Sequence, residues 1–159
     1  MPDEKVIIFD TTLRDGEQAA GAAMTLDEKL EIAKQLEKLR VDVIEAGFAA
    51  SSPGDFAAVQ TIAKEIRTPI IASLAHANLA AVDKAGEALK SASRPRIHVF
   101  LSSSDIHIMH QLRKNREEVM DMAVAAVARA KTHVEDVEFS PMDATRTEPS
   151  YLYSLIEAA

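Results

Sequence analysis

The residues best suited to chemistry lie together near the start of the chain, in Phe9-Asp10-Thr11-Thr12-Leu13-Arg14-Asp15-Gly16-Glu17-Gln18. Arg14 and Asp15 set a fixed cation beside a carboxylate. Such a carboxylate can ligate a divalent metal through hard oxygen atoms. An adjacent guanidinium can neutralise negative charge developing on a carbonyl oxygen. Gly16 lets the backbone turn sharply next to them. The same residues also suit a strand-end ion pair followed by a polar turn, a common surface feature of small energetic weight. Residue type and spacing alone leave both possibilities open.

The flanking segments say what must position this pair. Val6-Ile7-Ile8-Phe9 is short and β-branched and reads as a buried first strand, so Arg14 and Asp15 follow its carboxyl end. Thr25 with Glu28 three positions on is a capping box that opens a helix. Its stripe runs Leu26, Leu30, Ala33 and Leu36, with Arg40 as the polar end. A second strand spans 41–46 and ends at Gly47. The helix after Ser52-Pro53-Gly54 carries Phe56, Val59, Ile62, Ala63 and Ile66 on one face. Pro69 opens a third strand over 70–74, and Asn78 caps a helix over 79–89. A fourth strand spans 96–101, then a polar turn Ser102-Ser103-Ser104-Asp105 and a short helical stretch through Leu112. Asn115 and Glu118 box the longest helix, striped by Val119, Met122, Ala123, Ala126, Val127 and Ala130. The fifth strand spans 137–140, and a loop over 141–149 leads to a last helix over 151–158.

Five consecutive βα units predict an α/β fold with a parallel sheet and helices outside it. The sheet can stay open and doubly wound, or form part of a (β/α)8 barrel, which takes about 250 residues. The length of 159 residues by itself favours the open sheet. No glycine-rich phosphate loop follows the first strand, which removes the usual nucleotide-binding version of that fold.

Composition narrows the function classes. The formal charge of −7 disfavours nucleic-acid and anionic-membrane partners, which need a basic face. Aromatics make up 4% of the chain and no basic–aromatic stretch suggests base stacking. The absence of cysteine excludes disulfides, thiolate zinc sites and a cysteine nucleophile. No signal peptide or membrane span is read, so a cytoplasmic location is expected.

Leu13-Arg14-Asp15-Gly16-Glu17-Gln18, ten further residues and then Lys29 resemble a signature of the 2-isopropylmalate, homocitrate and citramalate synthase family. Val41-Asp42-Val43-Ile44-Glu45-Ala46-Gly47-Phe48 resembles that family's second strand. Ser51-Ser52-Pro53-Gly54-Asp55-Phe56 is similar to the loop after it in the isopropylmalate branch. Arg96-Ile97-His98-Val99-Phe100 with Ile106-His107, and Asp136-Val137-Glu138-Phe139-Ser140-Pro141, resemble the fourth and fifth units. The resemblance implies a partial (β/α)8 TIM barrel, with residues 1–159 forming a truncated catalytic domain of the pyruvate carboxyltransferase-like type. It implies an acyltransferase: the enolate of acetyl-CoA attacks a 2-oxo acid, 2-oxoisovalerate in this branch, at a divalent metal (Mn, Mg or Zn). The step would belong to leucine biosynthesis. By resemblance Asp15 is a metal ligand, Arg14 stabilises the oxyanion at the 2-oxo group, and His98 and Ser140 lie near the oxo acid.

Several positions depart from the family pattern. The His-x-His pair that completes the metal site does not occur, and one carboxylate is not a usable site by itself. Met142 stands where relatives usually carry Glu, Arg40 where they carry Gly, Ala49 where they carry Pro, and His76 where the isopropylmalate branch carries Arg. Five strands cannot close an eight-stranded barrel, and open parallel edges invite pairing with another chain. Self-association through the sheet edges, as a homo-oligomer, and negligible turnover of the isolated chain are therefore expected. Citramalate or homocitrate synthesis, or a non-catalytic half-barrel that serves as an interaction module, are the alternatives.

Other polar residues have structural explanations. His107 and His110 read as exposed helix histidines rather than metal ligands. Glu45 and Glu138, inside apolar strands, need partners, for which interior arginines are expected. Arg94 and Arg96, around Pro95, read as solubilising charge, and Asp143 and Arg146 as residues that order the loop after the fifth strand. The scattered methionines read as core filler.

Overall fold

The computed structural model describes residues 5–159. Helix starts fall where the capping residues put them. The Thr25 hydroxyl accepts from the Glu28 amide, and the Glu28 carboxylate accepts from the Thr25 amide, opening α1 (Leu26–Leu39). Ser52 caps α2 (Pro53–Glu65), Asn78 caps α3 (Leu79–Ala88), and Asn115 with Glu118 boxes α5 (Arg116–Lys131). A short α4 (Asp105–His107) runs into one π-helical stretch over Ile108–Leu112, and α6 is Pro149–Ala158. At the end of α1, Arg40 takes the left-handed conformation, φ 59°, that glycine usually fills.

Between the helices lie β1 (Phe9–Asp10), β2 (Val43–Gly47), β3 (Ile70–His76), β4 (Pro95–Ser102) and β5 (Asp136–Met142). They form one parallel sheet in the order β1-β2-β3-β4-β5, each strand beside its sequence neighbour. This sequential order is that of a barrel wall, a half-barrel, rather than the reversing order of a doubly wound sheet. The open-sheet alternative that length favoured is thereby set aside.

The two faces of the sheet are written differently. On β4, Ile97, Val99 and Leu101 are fully buried, whereas Arg96, His98 and Phe100 are only partly covered. Ile44 and Ala46 of β2, and Ile71 and Ala75 of β3, join Ile97, Val99 and Leu101 in the helix-facing core. The helices fill that core with Val59, Ile62, Val82, Ala85, Ala123 and Ala126. Small residues predominate on α3 and α5, which lets these helices approach the sheet and each other closely. The alternate positions form the concave face, where Leu74, His98 and Glu138 share one register line and Phe100 and Ser140 the next.

The first strand differs from its expected form. Only Phe9 and Asp10 pair as strand, and Val6, Ile7 and Ile8 are 76%, 63% and 52% exposed. The Ile8 carbonyl still accepts from the Asp42 and Val43 amides, so the segment runs alongside β2. β1 is an edge strand with β2 as its one neighbour among the described residues, which leaves its apolar side chains uncovered.

Candidate functional site

The segment that carries Arg14 and Asp15 is a tight loop leaving the carboxyl end of β1. The Thr11 carbonyl accepts from the amides of Arg14, Asp15 and Gly16, at 3.1, 2.8 and 3.1 Å. Leu13 is wholly buried and pins the loop to the core. Arg14 Nη1 donates to Asp15 Oδ1 at 3.0 Å, with the arginine side chain 23% exposed and the aspartate 66%. Arg14 lines a cavity of about 200 Å³ with Leu13, Glu17, Gln18, Gly47 and Phe48. The sequence-predicted pair is thus brought together at the carboxyl ends of β1 and β2, where parallel α/β folds hold their ligands.

Lys29 secures this loop from below. Its side chain is 4% exposed, and its ammonium lies 2.6 Å from Glu17 Oε2 and 3.3 Å from Asp55 Oδ1. Glu17 also accepts from the Met24 amide, while Asp55 accepts from the Ser51 and Ser52 hydroxyls. Desolvation pushes the Asp55 carboxyl up, but the Ser51, Ser52 and Lys29 hydrogen bonds outweigh it and leave it below its ordinary value. Lys29 was visible in the sequence only as the end of a spacing pattern; its partners were not.

His98 and Ser140 meet on the concave face. His98 Nε2 lies 2.7 Å from Ser140 Oγ, and His98 Nδ1 lies 2.7 Å from Glu45 Oε1. The Phe9 ring stacks edge-on to the imidazole at 6.0 Å. Toward the mouth, Phe100 stacks edge-on to Phe48, at 6.1 Å, and to His76, at 5.2 Å. Phe48 also lines the Arg14 cavity, so the Phe48–Phe100–His76 group borders it. Burial lowers the His76 pKa and favours its neutral ring against Phe100.

Three expectations need correction. Glu45 is 3% exposed and pairs with His98 rather than with an arginine. Arg96 is not solubilising charge: alternation puts it on the concave face, where it bonds Asp136 and Glu138 at 2.9 Å each. His107 is not a free helix histidine, because its Nδ1 lies 3.1 Å from Asp143 Oδ2 and 2.9 Å from Ser104 Oγ. His110 is exposed, as expected. Asp143, held low chiefly by Arg146 and then by Ser104, ties the loop after β5 to the buried turn Ser102–Ser104. In sequence that turn read only as polar. Its hydroxyls are buried and bonded to Gln111, Met142 and Thr147. Met142 follows Ser140 by two positions on the same face.

Asp15 offers one exposed carboxylate already engaged by Arg14, and among the described residues no group of three or more His, Asp or Glu side chains could hold a metal ion. The described residues therefore do not form a metal site by themselves. No helix among them is long and apolar enough to cross a membrane.

Comparisons with known proteins agree with this geometry. A family model described as HMGL-like matches residues 5–159. The 2-isopropylmalate synthase of Syntrophus aciditrophicus is 59% identical over 157 residues, covering 99% of this chain and 30% of that protein. The 2-isopropylmalate synthase of Gloeobacter violaceus is 57% identical, covering 100% of this chain and again 30% of the relative. The chain thus spans under a third of the length of these curated relatives. Among solved structures, the HMG-CoA lyase of Bacillus subtilis superposes with a TM-score of 0.72 at 21% identity, covering 97% of this chain and 54% of the lyase. An HMG-CoA lyase from Acinetobacter baumannii, in complex with coenzyme A and 3-methylmalate, gives 0.68 at 17% identity, covering 96% and 52%. These two likenesses establish the half-barrel fold. The match along the whole described chain, together with relatives that share more than half its residues, places this protein in the HMGL-like family, alongside the acyltransferases named 2-isopropylmalate synthase.

Proposed function

We propose that this half-barrel supplies the oxo-acid side of a 2-isopropylmalate synthase-like acyltransferase site. The observation that carries this assignment is Arg14, which lines a cavity at the carboxyl ends of β1 and β2 and has its guanidinium paired with Asp15. In a condensation of acetyl-CoA with 2-oxoisovalerate, negative charge gathers on the oxygen of the attacked oxo group. A guanidinium fixed in a partly enclosed cavity stabilises that charge more in the transition state than in the ground state. Lys29, through Glu17, holds the Arg14 loop in place, so little reorganisation is needed when the charge appears. His98 and Ser140 lie on the concave face, the basin in which the remainder of the oxo acid would lie. A divalent cation (Mn, Mg or Zn), if bound, would polarise the oxo group as a Lewis acid. Asp15 would be one of its oxygen ligands, with the others outside the described residues. The coenzyme A bound by the Acinetobacter lyase supports acetyl-CoA as co-substrate for this fold family. A cytoplasmic location suits such chemistry.

A chimera tests this assignment. The matching segment of the Syntrophus aciditrophicus synthase is replaced by this chain, and thiol release from acetyl-CoA is followed with 2-oxoisovalerate, pyruvate and 2-oxoglutarate. Metal-dependent release with 2-oxoisovalerate, lost in Asp15→Ala and Arg14→Ala, is expected. Preference for pyruvate or 2-oxoglutarate would instead indicate citramalate or homocitrate synthesis. Met142, on the basin face where relatives usually carry Glu, favours a second possibility, a half-barrel without the chemistry. A folded chimera that is inactive both as it stands and with Met142→Glu would establish that alternative. For the isolated chain, negligible thiol release is expected. The exposed Val6-Ile7-Ile8 edge supports self-association, which sedimentation velocity would register as species larger than 17.3 kDa.

A further inference from the structure

The geometry points to Glu45 as a positioning residue that fixes His98 in the Nδ1–H tautomer and leaves Nε2 bare, as the acceptor of the Ser140 hydroxyl proton. Glu45 is almost completely buried, and an ionised carboxylate only accepts hydrogen bonds. Its partner is His98 Nδ1 at 2.7 Å, a length that suits a charge-assisted bond, so the proton sits on Nδ1. A neutral imidazole then has no hydrogen on Nε2. To that neutral ring, Ser140 Oγ, 2.7 Å from Nε2, is the donor.

The fourth group at the site agrees. Glu138 Oε1 would attract a proton to Nε2, but it lies 3.7 Å away, beyond hydrogen-bond reach. Arg96, shared with Asp136, bonds the other oxygen of Glu138 at 2.9 Å through Nη1 and draws the carboxylate to itself. Phe9, edge-on to the ring, limits reorientation of the imidazole. The result is a directional chain on one face of the sheet: Ser140 O–H to Nε2, Nδ1–H to Glu45.

One consequence concerns ligands. With its proton committed to Nε2, Ser140 presents lone pairs to the basin. A ligand donor, such as a hydroxyl, meets it directly. A ligand that offers only acceptor oxygens there, as an oxo acid does, is met when the Ser140 hydroxyl turns from Nε2 and donates to it instead. That consequence rests on the proposed function, whereas the tautomer itself does not.

The test uses the full chain, histidine-labelled with nitrogen-15, and long-range proton–nitrogen NMR near neutral pH without ligand. Nitrogen shifts distinguish protonated from bare ring nitrogens. For His98, Nδ1 is expected to be protonated in at least about tenfold excess over the other tautomer. In Glu45→Gln the amide either accepts or donates, so the ratio should fall toward unity while circular dichroism stays unchanged. In Ser140→Ala the Nδ1–H tautomer should persist, because Glu45 sets it. A wild-type His98 protonated on Nε2, alone or together with Nδ1, overturns the inference without recourse to any variant. So does a Glu45→Gln spectrum identical to wild type, or a tautomer that reverses in Ser140→Ala. None of these outcomes bears on thiol release by the chimera, so the two proposals fail separately.

Discussion

Replacing Lys29 with methionine removes one ammonium and keeps most of the side-chain volume. The wild-type nitrogen is shared by Glu17 and Asp55, at 2.6 and 3.3 Å, so the variant leaves two carboxylates facing each other without a cation. Removing one partner of a fully buried pair costs about 3–5 kcal/mol. Here the carboxylate side chains keep 22% and 27% of their exposure, and Asp55 retains its Ser51 and Ser52 hydroxyl donors. Solvent screening and those bonds reduce the expected loss to about 2–3 kcal/mol. For a domain of this size that lowers Tm by about 4–12 °C. Urea titration should show a lower midpoint with an unchanged slope, because the surface exposed on unfolding is the same. The pH dependence carries a sign. In the wild type the Ser51, Ser52 and Lys29 hydrogen bonds hold the Asp55 carboxyl below its ordinary value, and the variant loses the Lys29 share. A depressed carboxylate stabilises above its unfolded value and ceases to as pH falls through the folded one, so the deficit is largest near neutral pH and shrinks on acidification. Adding Glu17→Gln should recover part of the loss. A deficit below about 0.5 kcal/mol, within the range of ordinary surface changes, or one that widens on acidification would refute the account of Lys29 as the anchor of the Arg14 loop.

Four further substitutions test the packing and the carboxylate pairs. A Cβ at Gly86 would stand 2.5 Å from His133 Cγ and 2.9 Å from its Cβ, atoms too close to the backbone to swing away, so Gly86→Ala should cost about 1–3 kcal/mol by thermal denaturation. Arg40→Gly relieves a left-handed residue at the end of α1 and should stabilise by about 0.5–1 kcal/mol in the same assay, net of the extra freedom glycine gives the unfolded chain. Arg129 first, then His133, holds Asp83 down to about 2, and the Ser150 hydroxyl and amide hold Glu148 down to about 2. Both are depressed carboxylates, so their stabilisation is complete above their unfolded values, 3.8 and 4.5, and is lost as pH falls toward about 2. Acid titration followed by circular dichroism should show Asp83→Asn and Glu148→Gln flattening that loss.

What sequence could reveal followed from locality. Thr25, Asn78 and Asn115 act within one turn of their own positions, so the starts of α1, α3 and α5 were legible from residue type alone. Arg14 and Asp15 were legible because a contiguous segment carries both. Partners across strands were not. Glu45 and His98 are 53 positions apart, and only the diagonal stagger of β2 and β4 brings them together. Of the two glutamates expected to meet interior arginines, only Glu138 does, through Arg96, which also bonds Asp136. The signal for Arg96 was present, since alternation from His98 puts it on the same face, but its place beside Pro95 at a strand start suggested surface. Val6-Ile7-Ile8 misled in the opposite sense: a β-branched run specifies extended backbone, while burial depends on what lies over it. Ser102–Ser104 looked like a loop because serine is polar, and its burial depends on acceptors supplied by β5 and the loop after it.

The alternation on β4 joins fold to function. Ile97, Val99 and Leu101 are wholly buried under the helices, while Arg96, His98 and Phe100 face the concave side. Branched apolar side chains fill the interior of a barrel that serves only as a core. Here the inner face carries Glu45, Arg96, His98, Asp136 and Glu138, each paired within 2.9 Å of an opposite or hydrogen-bonding partner. Charges in such a place are costly unless paired, and hydrophobic replacements of similar volume are often neutral or stabilising. Stability alone therefore does not account for them. An inner face that orients an imidazole, engages its nearest spare carboxylate and ends in aromatic side chains near Arg14 does account for them, because each of those arrangements prepares a basin for a small polar ligand. The same period of two that fixes which side of β4 meets the helices fixes which side meets the ligand, so a one-residue slip in register would abolish core and site together.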